Sequence, residues 1–420
     1  MSFTSPPGLT ASRWSDVYIA AISRAVSYAG DFVAATALVL ALQARDSSSG
    51  YAVAAILLAA TLPPVVLAPL TGRLADRVDS RLLLAVTAAG QAVVCVALAY
   101  TGGTVPIVIL AALLGCGVAV TQPTLSALTP SMVVRDDLAK ASAIGQTGNS
   151  VAMVVAPAVG GLLVGAYGLR VPILVDAVSY LALVVAAFAI RTRRGGRAGR
   201  AAESGADGSP AVWRMRSDRL AFPLVVVIGA VVGVLNVFAV ADIFFVRGTL
   251  HASTTMYGII DGAYAATTLV GAWLVTRRAD RPDNWLAGLT LGLFAGISAI
   301  VALASTVPNV WWLMALWTVG GITNGGFNVT LAVLLGRRVP AEVRGHAYAV
   351  FGAVANGAGG LGLLLGGALI GLAAPRLLIA ASGLAGVLAV AVFAPPVLAE
   401  MRRTRTAPAG VEPAPVSVSP

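Results

Sequence analysis

Long apolar runs broken by short polar segments dominate the chain from end to end. A hydrocarbon layer about 30 Å thick is crossed by about 20 apolar residues in a helix. Twelve runs meet that length: 17–42, 51–71, 82–101, 105–128, 141–166, 171–190, 220–246, 256–275, 285–305, 310–335, 346–371 and 375–398. Most connections between them are short. The exception is 191–219, a charged, small-residue-rich stretch that reads as a flexible linker. The pattern predicts an all-α integral membrane protein. An N-terminal six-helix half (1–190) and a C-terminal six-helix half (220–398) flank the 191–219 linker, and a Pro- and Ala-rich disordered tail (399–420) follows.

Composition agrees with the runs: 58% of residues are apolar, 46 more are glycine, and only 11% are charged. A soluble core of this size cannot hide so much apolar surface. The net charge of +10 would raise the question of a nucleic-acid partner, but the basic residues sit between apolar runs rather than on a soluble face. Cys95 and Cys116 lie within apolar runs, and His251 and His346 are far apart, so no disulfide framework, metal site or other cofactor is expected. No cleavable signal peptide is expected at the N-terminus, where span one would itself direct insertion. Charge position gives orientation: 23 basic residues fall on the side of the termini and even-numbered loops, against four (Arg45, Arg170, Arg247, Arg376) on the other. The positive-inside rule places both termini in the cytoplasm, with the protein in the cell membrane.

The halves share markers in register. Tyr51 matches Tyr257, Ala75–Asp79 matches Ala279–Asp283, and Val134, Asp137 and Leu138 match Val339, Glu342 and Val343, at offsets of 206, 204 and 205. Two parallel six-helix repeats around a midplane site is the plan of a secondary transporter. Two further motif matches are rejected. Gly357–Gly362 fits a dinucleotide-binding glycine pattern but lies inside an apolar run, and the Asn328–Thr330 sequon lies inside span ten. There is no Walker A pattern, so transport must draw on ion or substrate gradients, and the chain is not read as an enzyme.

Several segments carry a resemblance. Gly72-Arg-Leu-Ala-Asp76-Arg77-Val-Asp-Ser-Arg81 resembles the loop motif of the major facilitator superfamily, and Ala156-Pro157-Ala-Val-Gly160-Gly161 its export-associated span-five motif, with Ala in place of the first Gly. Ser23-Arg24 through Gly30-Asp31 and Val175–Tyr180 are similar to the drug:proton antiporter-like branch, which includes macrolide-efflux and enterobactin-export proteins. The resemblance implies a cytoplasmic gate at Gly72, Asp76, Arg77 and Arg81, in which Asp76 and the arginines can form a charge network, and outward transport associated with Pro157, Gly160 and Gly161. Close packing explains the span-five residues as well.

Ionisable groups inside spans are expensive and therefore functional candidates. Asp31 lies near the middle of span one, and a carboxyl at that depth is suited to exchanging protons; the alternative is a fixed contact between helices. Arg24, two turns earlier, is too far for direct contact but can face the same cavity. Asp176 reads as a structural group near the outer end of span six; Asp242, near the outer end of span seven, reads the same way or as a solvated group. Asp261, Asn236, Asn324 and Asn328 are candidates for orienting a substrate or for gluing helices; Gln91 and Gln146 are weaker ones. The expected function is proton-coupled export of an amphipathic drug or metabolite by a protein working as a monomer in the bilayer. A wall of Ala, Val and Leu suits an apolar or weakly cationic substrate. Import or facilitation of a small solute, and a lysophospholipid-type lipid transporter, are the alternatives.

Overall fold

The computed structural model describes residues 11–45, 50–134, 137–192, 221–278, 280–338 and 344–406. Among them are twelve α-helices: α1 (Trp14–Arg45), α2 (Gly50–Arg77), α3 (Ser80–Tyr100), α4 (Thr104–Met132), α5 (Leu138–Tyr167), α6 (Arg170–Ala189), α7 (Ala221–Phe244), α8 (Thr254–Thr276), α9 (Asp283–Ala304), α10 (Val310–Arg338), α11 (Arg344–Leu369) and α12 (Pro375–Thr406). A π-helical turn, Phe245–Thr249, continues α7. Each expected span lies on one helix, as it must where hydrocarbon leaves backbone groups no other partner. Among the described residues, eleven helices are long and apolar enough to cross a bilayer.

Two departures from expectation occur at helix ends. The tail expected from 399 begins as helix, because Leu398-Ala-Glu-Met-Arg-Arg are good helix formers; the rest of the tail, 407–420, lies outside the described residues. The motif expected as a loop after span two is mostly helical, with α2 running through Arg77. Beyond Thr192 the expected linker also lies outside the described residues.

Contacts sort the chain into two units: α1–α6 with His251–Gly262 at the start of α8, and α7 with the remainder of α8 and α9–α12. In the first, α1 packs on α5 and α6, and α3 on α6 and α4. In the second, α7 packs on α11 and α12, and α9 on α12 and α10. Raising each helix number by six converts one set of pairings into the other. Each unit has its own apolar core, around Leu84, Ala88, Leu128 and Leu183 in the first and Val231, Leu291, Phe294 and Leu331 in the second. Large apolar side chains such as Val93, Val185 and Leu372 stand exposed, as lipid-facing residues do.

Polar contacts tie the first unit together where α1 begins. The Asp16 carboxylate, in the first turn of α1 and 2% exposed, accepts from Thr192 N–H at 2.9 Å and from its hydroxyl at 2.7 Å. Ser12 Oγ donates to Asp137 and accepts from Val134 N–H. Replacing Asp16 with Ala strands two buried donors, so Asp16→Ala is expected to lower stability by about 2 kcal/mol. Thermal unfolding of the detergent-solubilised protein checks this. An unchanged midpoint would mean that water replaces the carboxylate, while Thr192→Val should reproduce part of the loss.

Candidate functional site

The middle of α1 is set against α6 by Gly30. A Cβ there would stand 2.9 Å from Ser179 Cβ and closer still to Asp176 Oδ1 and Ser179 Oγ, so the absent side chain lets the two helices meet. That approach brings the Tyr180 hydroxyl, on a side chain 1% exposed, onto the Asp31 carboxylate as a hydrogen-bond donor. One turn away on α6, Asp176 is also 1% exposed. It accepts from Ser179 Oγ at 3.0 Å and from the Cys95 thiol of α3 at 3.4 Å. Asp176 Oδ1 faces Gly30, the residue that precedes Asp31 on α1. Neither carboxylate forms an ion pair among the described residues. The result is a small polar island of α1, α3 and α6 residues in an otherwise apolar unit, able to take up or release a proton without breaking a salt bridge.

Arg24 and Asp31 bond in different directions. Arg24 Nη2 donates to Gln122 Oε1 at 2.7 Å and Nη1 to Ser126 Oγ at 3.3 Å, both on α4. Tyr28 and Phe32, on the same face of α1 as Arg24, stack edge to face with centroids 4.9 Å apart. Gln122 and Ser126 escaped the sequence reading, although two polar side chains one turn apart in an apolar span signal a partner. Tyr180 and Cys95 escaped it too, since neither is ionised in an ordinary setting.

The adjacent span-five glycines serve two neighbours. A Cβ on Gly160 would stand 3.1 Å from the Val33 carbonyl of α1, and one on Gly161 would stand 2.6 Å from the Thr254 carbonyl at the start of α8. The Pro157 carbonyl lies against Gly258. The motif therefore packs α5 closely on both sides. Asp261, one turn beyond Gly258, is half-buried and makes no hydrogen bond or ion pair among the described residues.

In the second unit, Asn236 donates to its own helix at Val232 O, 2.8 Å, and its side chain fills the space over Gly359 and Gly362 of α11. Asn328 Nδ2 donates to Asn324 O at 2.9 Å, a bond within α10 on its open side. These asparagines are thus engaged locally, each within its own unit. Asp242, open on sequence to a packing role or to solvation, is only 7% exposed on a helix packed by α11 and α12.

Of the expected gate, Gly72, Asp76 and Arg77 lie on the last turns of α2, and their side-chain surroundings fall outside the described ones. Asp79 caps α3, accepting from Arg81 N–H at 2.9 Å and Leu82 N–H at 3.3 Å. Arg81 was expected in a network with carboxylates. Its Nη2 instead donates to the Phe188 and Ile190 carbonyls at 3.2 and 3.1 Å, where the end of α6 offers unpaired, partly negative oxygens.

Residues 9–416 match the transmembrane secretion effector family. The multidrug efflux pump Tap of Mycobacterium tuberculosis is 27% identical over 362 residues, covering 81% of this chain and 84% of that protein. Among solved structures, the nucleoside transporter NupG superposes with a TM-score of 0.72 at 13% identity, over 90% of this chain and 99% of that one. A bacterial homologue of the iron transporter ferroportin gives 0.70 at 16% identity, over 91% and 99%. At such identities these two structures establish the shared fold alone.

Proposed function

We propose that this chain, which belongs to the transmembrane secretion effector family of the major facilitator superfamily, exports an amphipathic small molecule, drug or metabolite, in exchange for protons. It is a multi-pass membrane transporter and not an enzyme. Both termini lie in the cytoplasm, as the 23-to-four division of basic residues favours. The two repeats alternate access to a midplane site, and a single copy suffices. Asp31 carries the proton. The supporting observation is its carboxylate, held by Tyr180 in the middle of α1 with no cation paired to it among the described residues. The similarity to an efflux pump supports the outward direction.

Everted membrane vesicles with an acid interior test this. Adding a transported drug is expected to discharge the gradient, seen as recovery of a pH-dye signal, in vesicles holding the protein and not in vesicles without it. Drug movement that continues unchanged after a protonophore would replace the antiporter with a facilitator. Transfer of labelled lysophospholipid between leaflets without a gradient would replace it with a lipid transporter.

A further inference from the structure

Arg24 lies about ten residues into α1, roughly 15 Å along its axis from Trp14. Both acceptors that hold it, Gln122 and Ser126, are neutral, and no carboxylate lies within ion-pair reach among the described residues. Its buried Nε–H has no acceptor. A charge placed at that depth without a counter-ion is unfavourable unless an anion comes to it. A neutral amide would tie α1 to α4 without that penalty, so packing alone does not account for a guanidinium here. Arg24, Tyr28 and Phe32 are half-buried and Ser126 is exposed, which leaves the stripe open to a ligand.

We propose that Arg24, Gln122 and Ser126, with the Tyr28–Phe32 pair beside them, form a subsite for the anionic end of an aromatic amphipath, a carboxylate or sulfonate carried on a ring system. The inference rests on the transporter reading above and narrows its substrate class. The planar guanidinium fork matches a carboxylate in shape and charge, while Gln122 and Ser126 fix its orientation. The two rings supply the apolar surface for the body of the molecule. The site reverses the charge preference expected from an Ala-, Val- and Leu-lined wall, because the guanidinium repels a cation at the position where it attracts an anion.

Three probes of one shape test the charge rule: 2-naphthoate, 2-naphthylmethanol and 2-naphthylmethylammonium, titrated against the purified full chain in phosphatidylcholine nanodiscs. The wild-type protein is expected to bind naphthoate about tenfold or more tightly than the ammonium. Arg24→Gln should remove that preference and weaken naphthoate about tenfold while leaving the alcohol unchanged; Arg24→Lys, which keeps the charge, should retain most of the preference. Equal binding of naphthoate and ammonium by the wild type would overturn the proposal with no variant needed. Undiminished naphthoate binding by a monodisperse Arg24→Gln protein would also overturn it. Repeating the titration with phosphatidylglycerol in the disc distinguishes the source of the anion: unchanged naphthoate affinity supports a substrate subsite, and competitive loss assigns the guanidinium to a lipid phosphate instead. No gradient exists in a nanodisc, so failure of proton coupling in vesicles and failure of this charge rule are separate results.

Discussion

Asp31→Asn is expected to abolish substrate-driven proton movement, lowering concentrative export on the order of 100-fold, the range seen when a positioned proton-transfer group is removed. Exchange of labelled for unlabelled substrate, which needs no net proton movement, should persist. The amide keeps the shape of the carboxyl and can still accept from the Tyr180 hydroxyl, so the contact between α1 and α6 survives. Paired assays make the result decisive. Loss of dye recovery with exchange intact places the proton on Asp31, and loss of both indicates a damaged fold. Dye recovery equal to wild type would remove Asp31 from the mechanism. Asp176→Asn and Asp261→Asn would then become the informative variants, since Asp176 shares the same polar island and Asp261 stands without a partner among the described residues.

A large stability effect is expected at Gly30. Replacing glycine by alanine in an open helix normally gains about 1 kcal/mol. At Gly30 the added methyl would overlap Asp176 Oδ1 and the Ser179 side chain, both buried on α6 and unable to withdraw. Overpacking of this kind costs about 1–3 kcal/mol for a small group and more for a branched one. Gly30→Ala should therefore lower the unfolding midpoint, and Gly30→Val should leave little monodisperse protein after detergent extraction. Gly90 on α3 is the internal control, because nothing lies within 4 Å of a Cβ built there. Gly90→Ala should be neutral or stabilising. Equal behaviour of the Gly30 and Gly90 alanine variants would show that α1 and α6 can separate freely at this point.

Span number and helix type were legible because bilayer thickness imposes a minimum run length that local composition either meets or misses. The internal repeat was legible as three spaced markers, and it returns as helix pairings displaced by six. What a helix presents to its neighbour was harder to read, since that depends on rotation about an axis in segments apolar on every side. α7 illustrates this: from its place near the span's end Asp242 could be a packing group or a solvated one, and it is buried on a helix that packs on α11 and α12. Asp176 and Asp31 lie in different spans, and only the close approach at Gly30 joins their surroundings. Arg81 was assigned to a charge network because sequence shows formal charges and not the partial charges of helix ends, and carbonyl oxygens of α6 took the place of the carboxylates.

The end of α6 is gripped twice, by Arg81 on the Phe188 and Ile190 carbonyls and by Asp16 on Thr192. The grip acts as a strain relief, like the collar where a cable enters a plug. A pull arriving along the chain from beyond residue 192 is shared among α1, α3 and α6 instead of unwinding α6 from its last turn. Tyr180 sits about ten residues, or three turns, up the same helix. Its hydroxyl therefore stays in register with Asp31 whatever is attached downstream, and insertions placed after residue 192 should be tolerated without loss of that contact.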